Sequence, residues 1–273
     1  MSTTTLTEDT DNFTSAEESL LQEFTTEFVP ERHDVIEFAG IDYSISEAGI
    51  LRVEFCGVAV EIRHDGGATG CGGKVWPAGD LLSRYLISIR DGEVAEGDDT
   101  ARRLIWQVSK QRKIKIVELG SGTGLVGLAL GNAYKKYNPV ESENGLDVIV
   151  TDQENMLNLM QDNIDLNHLE GIVRAGVLDW GTDLGGDYEV RPDIVLAADC
   201  VYFEPAFPLL EKTLVDLATT DTLVLMAYKK RRKADSRFFK AIRKSFQMQE
   251  IKGYSGYEEF SRDSTFLYRL IKK

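Results

Sequence analysis

The chain has little of what marks secreted, membrane-spanning or metal-dependent proteins. Only three of its 273 residues are cysteines and only three are histidines. An odd number of cysteines without a close pair predicts neither a disulfide framework nor a four-ligand zinc site, and the scattered histidines predict no metal site. No stretch approaches the roughly 20 apolar residues that cross a bilayer, and the first residues lack the basic start of a secretion signal. We therefore predict a cytoplasmic protein with neither a metal ion nor a membrane span.

Positive charge is also scarce. A formal net charge of −14 repels the backbone of a nucleic acid, which predicts no DNA binding and disfavours RNA binding. The exception is a run of five cations at 229–233. Such a run is most often a solvated loop, and the alternative is docking on an acidic protein or an RNA. Because no long apolar face is left after the core is assigned, we expect a monomer.

Residue patterning divides the chain into a tail and one domain. Residues 1–31 contain eight acidic residues and no lysine or arginine, which predicts a largely disordered tail over 1–34. Helical spacing of apolar residues near 20–28 favours one short helix within it. From 35 to 63 apolar residues alternate with period two, which predicts a small antiparallel β meander. We expect this meander to begin a domain that extends to residue 273.

Strand and helix patterns alternate through most of the domain. Pro77 begins a predicted helix, and five apolar runs near 114–119, 147–151, 171–177, 193–198 and 222–228 predict buried parallel strands. Helical patterns lie at 125–137, 154–167, 205–217 and 235–246, and two final strands, near 247–252 and 265–271, follow with no clear helix between them. The order predicts a Rossmann-like α/β domain: a seven-stranded, mainly parallel sheet with helices on both faces and an antiparallel closing pair.

Glycines cluster where the first buried strand meets a helix, in Glu118-Leu119-Gly120-Ser121-Gly122-Thr123-Gly124. Glycines there allow a sharp turn and a close approach to a ligand, and free N–H groups at the start of the helix can hold polar atoms. The segment 122–127 also fits the dinucleotide fingerprint, so this motif alone leaves a nicotinamide-dependent oxidoreductase open.

Polar and aromatic residues follow the next three strands. Asp152 is placed to accept hydrogen bonds from two vicinal ribose hydroxyls. Asp179 is placed to accept from an adenine amino group, and Trp180 to cover the ring. Asp199 and Tyr202 follow the fourth strand. No Tyr-x-x-x-Lys pair follows a strand, and this absence disfavours the oxidoreductase.

Together with Trp76-Pro77, these features resemble, in their order and strand positions, the seven-β-strand protein lysine methyltransferases called methyltransferase family 16. Asp199-x-x-Tyr202 is the most specific part of a resemblance that covers roughly residues 60 to 273. It implies a class I protein-lysine N-methyltransferase that depends on S-adenosyl-L-methionine. The residues expected to line the cofactor are Trp76, Gly120, Ser121, Gly122, Asp152, Asp179, Trp180 and Ala198. Asp199 and Tyr202 are expected to face the incoming lysine.

The segment from Tyr228 to Phe239 is similar to the fungal elongation factor methyltransferase 6 group within this family. That group modifies translation elongation factor 1-alpha, which the resemblance therefore implies as the protein substrate. We expect Asp199 to capture and orient the lysine, because a carboxylate favours the ammonium form and so opposes deprotonation. Tyr202 is expected to supply an aromatic wall and a hydroxyl. The alternatives are an RNA or small-molecule methyltransferase and a cofactor-binding partner protein without turnover.

Overall fold

The computed structural model describes residues 43–46, 49–64, 71–92, 99–138 and 144–273. The predicted acidic tail and its short helix lie outside these residues. The described chain begins with the predicted meander, formed by β1 (Tyr43–Ile45), β2 (Ile50–Phe55) and β3 (Val58–Arg63), which pair antiparallel. Alternate residues of β2 and β3 are buried, as the period-two pattern requires.

The second sheet has seven strands in the order β6-β5-β4-β7-β8-β10-β9. Their bounds are β4 Lys113–Leu119, β5 Gly145–Asp152, β6 Val173–Val177, β7 Ile194–Ala198, β8 Leu223–Lys229, β9 Phe246–Glu250 and β10 Thr265–Lys272. The first five run parallel, whereas β10 lies between β8 and β9 and is antiparallel to both. This arrangement confirms the predicted fold class and the antiparallel closing pair.

Helices cover both faces of this sheet. They are α1 Pro77–Ser88, α2 Leu125–Tyr137, α3 Leu157–Leu166, α4 Phe207–Leu217, α5 Asp235–Ile242 and α6 Tyr257–Arg262. Buried side chains of α1, α2 and α3 share one hydrophobic core with the meander, and those of α4 and α5 form a second core on the opposite face. A segment of α, π and 3-10 turns from Thr100 to Lys110 leads into β4. Among the described residues, no helix has the length and apolar character to span a membrane.

Two boundary predictions near the carboxyl terminus are wrong. The helix expected to reach residue 246 ends at Ile242, because Phe246 is fully buried and begins β9 opposite Lys272. The two final strands are separated by α6, a helix of six residues that is too short to show a clear period. Tyr257 and Phe260 of α6 pack against the first core.

Asparagine side chains attach the meander to the main domain. The backbone N–H of Arg63 in β3 donates to Asn163 Oδ1 at 2.7 Å, and Asn163 Nδ2 donates to the carbonyls of Arg63 at 3.0 Å and Thr123 at 2.9 Å. Asn167 pairs with the backbone of Glu61 in the same way: its Oδ1 accepts from the N–H at 3.0 Å, and its Nδ2 donates to the carbonyl at 2.6 Å. These amides satisfy the outer edge of β3 as a further strand would. Asn163 also ties the meander to the glycine-rich loop.

Candidate functional site

The predicted site residues meet at the carboxyl edge of the sheet, where β4, β5, β6, β7 and β8 end. The loop between β4 and α2 turns through left-handed backbone at Gly120 (φ 56°), Gly122 (φ 55°) and Gly124 (φ 82°). A side chain at Gly122 would bring its Cβ within 2.5 Å of the carbonyl oxygen of Gly72. A Cβ at Gly120 would lie 2.8 Å from the ring of Trp180. The loop therefore requires glycine for its backbone angles and for its contacts.

Asp152 ends β5 and holds this loop. One carboxylate oxygen accepts from the N–H of Gly122 and the other from the N–H of Gln153, both at 2.8 Å. Each oxygen keeps a second lone pair. Burial raises the pKa of Asp152, the two N–H groups lower it, and the charge of the exposed Asp179 raises it further. The carboxylate thus has acceptor capacity left beside a loop of glycines.

Ser121 joins the loop to β5. Its N–H donates to the carbonyl of Thr151 at 2.9 Å, and its hydroxyl oxygen accepts from the N–H of Thr151 at the same distance. The hydroxyl also donates to the carbonyl of Glu118 at 3.2 Å. The side chain of Ser121 is therefore used within the protein, and its contribution to the site is the position of the loop.

Glu118 is a buried acid beneath the loop whose individual role the sequence did not reveal. Its side chain accepts from the N–H of Gly127 at 2.8 Å. Burial raises the pKa of Glu118 to about 8; the bond from Gly127 lowers the pKa and the charge of Asp152 raises it. Burial therefore favours the protonated, neutral form of the carboxyl that supports the loop.

Aromatic side chains surround the approach to the loop. Trp76 precedes α1, and its indole N–H donates to the carbonyl of Cys71 at 2.8 Å. Tyr202 is 36% exposed. Burial raises the pKa of Tyr202, and the neighbouring Cys71 thiol raises it further. The turn at 71–73 thus contacts both predicted aromatic residues as well as the glycine-rich loop.

Asp199 follows Ala198, the last residue of β7, and has a positive φ of 57°. Its side chain is only 5% exposed and forms a bidentate ion pair with Arg231, in which Nη1 lies 2.8 Å from Oδ1 and Nη2 lies 3.0 Å from Oδ2. The N–H groups of Lys229 and Ala78 also donate to it, at 3.2 and 3.4 Å. Asp199 therefore joins the ends of β7 and β8 to the start of α1.

Arg231 is the site residue that the sequence did not identify, because it lies within the run of five cations. Its guanidinium carbon lies 5.3 Å from the centre of the Trp76 ring. Two other members of the run are also used internally: Lys229 pairs with Asp263 at 2.6 Å and Arg232 with Asp235 at 3.6 Å. The sequence did hold one signal for Arg231: it follows the end of β8 by two residues, and polar residues at the carboxyl ends of parallel strands mark sites.

The residues of this edge fit an adenosyl group. Gly120 and Gly122 give the loop a tight, closely packed turn, and the two remaining lone pairs of Asp152 suit a pair of vicinal hydroxyls. The flat ring of Trp180 beside Gly120 suits a base. Among the residues described in the structure, no group of three or more histidine, cysteine, aspartate or glutamate side chains is arranged to hold a metal ion.

Comparison with known proteins identifies the family. A family model described as "Lysine methyltransferase" matches residues 56–245. The chain belongs to this family. It is 43% identical over 225 residues to the protein-lysine N-methyltransferase EFM6 of Saccharomyces cerevisiae, covering 79% of this chain and 87% of that protein. It is 30% identical to the protein N-lysine methyltransferase METTL21A of Danio rerio over 78% of this chain and 83% of the relative.

A third relative is the EEF1A lysine methyltransferase 3 of Mus musculus, which is 33% identical over 65% of this chain and 64% of the relative. Membership establishes the reaction class: this lysine methyltransferase uses S-adenosylmethionine and acts on a protein.

Proposed function

We propose that this lysine methyltransferase modifies a lysine of translation elongation factor 1-alpha. The observation that carries the proposal is the match, at 33% identity, to a relative named for that substrate. The likeness of residues 228–239 to the elongation factor methyltransferase 6 group supports the same target. We further propose that the enzyme acts in the cytoplasm as a monomer, without binding DNA or RNA.

We propose that the site has a cofactor side and a lysine side. The cofactor side consists of Trp76, Gly120, Ser121, Gly122, Asp152, Asp179, Trp180 and Ala198. Its support is the glycine loop held by Asp152, with Trp180 against it. Asp199 and Tyr202 belong to the lysine side. S-Adenosylmethionine, when bound, would supply an electrophilic methyl group on a positively charged sulfur, and that sulfur would be the leaving group.

The chain's own task is to present a neutral lysine in line with that methyl group. An unperturbed lysine has a pKa of about 10.4, so only about one amine in 2,500 is neutral at pH 7. Desolvation at the site lowers the pKa of the lysine, and the proton leaves to water before transfer. The Tyr202 ring offers the aliphatic stem of the lysine an apolar wall, and its hydroxyl offers the nitrogen a hydrogen-bonding partner.

The test is methyl transfer from labelled S-adenosylmethionine to purified, unmodified elongation factor 1-alpha. The matched control is Asp152→Asn, which keeps the shape of the side chain but loses one of its two acceptors. We expect label on one lysine, located by peptide mass spectrometry, and none after that lysine is changed to arginine. Label on another protein of a cytosolic extract contradicts the target. Label removed by ribonuclease favours an RNA methyltransferase, and cofactor binding without label favours a partner protein without turnover.

A further inference from the structure

The carboxylate of Asp199 has no acceptor capacity left for a substrate. A carboxylate offers about four lone-pair sites. Two are taken by the backbone N–H groups of Lys229 and Ala78 and two by the guanidinium of Arg231. A lysine ammonium that bound to Asp199 would have to displace one of these donors. The expected role of Asp199, direct capture of the lysine, therefore conflicts with its bonding.

The guanidinium of Arg231 is the more exposed member of its ion pair with Asp199. The side chain of Asp199 is 5% exposed, whereas that of Arg231 is 30% exposed. The guanidinium carbon also lies 5.3 Å from the centre of the Trp76 ring, on the proposed cofactor side. The accessible charge at this point of the site is consequently positive.

We propose that Arg231 is a positioning residue that neutralises Asp199 and so keeps the substrate lysine in its neutral form. The inference rests on the proposed lysine side of the site and replaces the role expected for Asp199, which holds Arg231 in place. An uncompensated carboxylate favours the ammonium form of lysine and raises its pKa, whereas a nearby cation lowers it. Only the neutral amine has the lone pair that forms the new bond to carbon.

A matched ion pair elsewhere in the chain supplies the control. Asp193 precedes β7 and binds Arg112 through two bonds of 2.5 and 3.0 Å, the same bidentate pairing as that of Asp199 and Arg231. The two aspartates lie at opposite ends of one short strand. Arg112→Gln therefore breaks an equivalent pair far from the site.

The first experiment measures binding and needs no protein substrate. Calorimetry gives the Kd values of S-adenosylmethionine, which carries a positive sulfonium, and of neutral S-adenosylhomocysteine. In Arg231→Gln the uncompensated Asp199 attracts the sulfonium, so we expect the preference for S-adenosylmethionine to rise by up to about tenfold. Arg231→Lys, which retains the charge, and Arg112→Gln should keep the wild-type ratio. An unchanged ratio in Arg231→Gln overturns the proposal.

A double variant controls for local damage to the structure. Asp199→Asn combined with Arg231→Gln removes both charges, and we expect it to return the binding ratio towards the wild-type value. Thermal melting shows whether each variant is folded. A double variant with the same ratio as Arg231→Gln contradicts the proposal, because the carboxylate would then not be the cause.

The second experiment measures kcat against pH with the unmodified protein substrate. The kcat profile reports the pKa of groups in the bound complex. We expect Arg231→Gln to move the rise in kcat to higher pH by about one unit, with activity recovering in alkaline buffer. Arg231→Lys should keep the wild-type midpoint. Equal loss of kcat at every pH contradicts the proposal and indicates a structural role.

The two experiments separate this inference from the proposed function. If the wild-type enzyme does not label elongation factor 1-alpha but the binding ratio shifts in Arg231→Gln, the target is refuted and the role of Arg231 is supported. Labelling of that factor together with an unchanged ratio refutes the role of Arg231 and leaves the target standing.

Discussion

An aspartate–arginine ion pair lies at each end of β7, but the surroundings of the two pairs differ. At the amino end the side chains of Asp193 and Arg112 are 22% and 52% exposed, and at the carboxyl end those of Asp199 and Arg231 are 5% and 30% exposed. The pair at the amino end joins the starts of β4 and β7 at the surface. The carboxyl pair lies beside Trp76 and is bonded to the backbone N–H groups of Lys229 and Ala78. Bidentate pairing alone therefore does not mark a site; its position in a parallel sheet and its burial do.

The largest effect expected at the carboxyl edge comes from Gly122→Ala. The variant forces alanine into left-handed backbone, which costs about 1 to 2 kcal/mol, and places its Cβ 2.5 Å from the carbonyl oxygen of Gly72. We expect the affinity for S-adenosylmethionine, measured by calorimetry, to fall by at least about a hundredfold.

Gly171→Ala is the matched control at the amino edge. Gly171 precedes β6 with φ 91°, and nothing lies within 4 Å of the position of its Cβ. This variant should lose some thermal stability and keep its cofactor affinity. If both alanine variants bound the cofactor equally well, the close packing of the carboxyl edge would not matter to the ligand.

An intermediate effect is expected from Glu118→Gln, through the pH dependence of stability. Burial raises the pKa of Glu118 from 4.5 to about 8, so the folded state keeps a proton that the unfolded state releases between these values. The contribution of this group to stability therefore falls as pH rises through that range. Between pH 6 and pH 8 this contribution should fall by about 2 kcal/mol in the wild type and stay constant in the glutamine variant.

The measurement is Tm for both proteins from pH 6 to pH 8.5. Glutamine retains an oxygen that can accept from Gly127, so only the titration is removed. The Tm of the variant relative to that of the wild type should rise with pH. A constant difference across the range would show that Glu118 does not titrate there.

The smallest effect is expected at the amino edge, from Arg112→Gln. The hydrogen bonds from Arg112 and from the N–H of Lys115 outweigh burial and lower the pKa of Asp193. The stability from this exposed pair is present at neutral pH and is lost as pH falls below about 4. We expect a loss of about 0.2 to 1 kcal/mol in urea unfolding, smaller still in high salt. A larger loss would contradict the small contribution to stability that is expected of an exposed ion pair.

Hydrophobic patterning predicted the sheet, because strands buried on both faces form apolar runs that local sequence records directly. The glycine loop and Asp152 were predicted for the same reason: they directly follow such runs. The end of α5 and the presence of α6 were not predicted. Phe246 suits the apolar face of a helix as well as a strand, and only its pairing with Lys272 decides between them.

The amino-acid sequence by itself determined the strand order along the chain, the left-handed glycine turns and the polar residues at the strand ends, all of which depend on near neighbours. Tertiary structure alone decided which charges meet. Arg231 stands among five cations and Asp199 lies 32 residues before it, yet the parallel pairing of β7 with β8 brings their side chains to within 2.8 Å. Charge pairing across a sheet depends on which strands are neighbours, and that information is absent from any local pattern of residues.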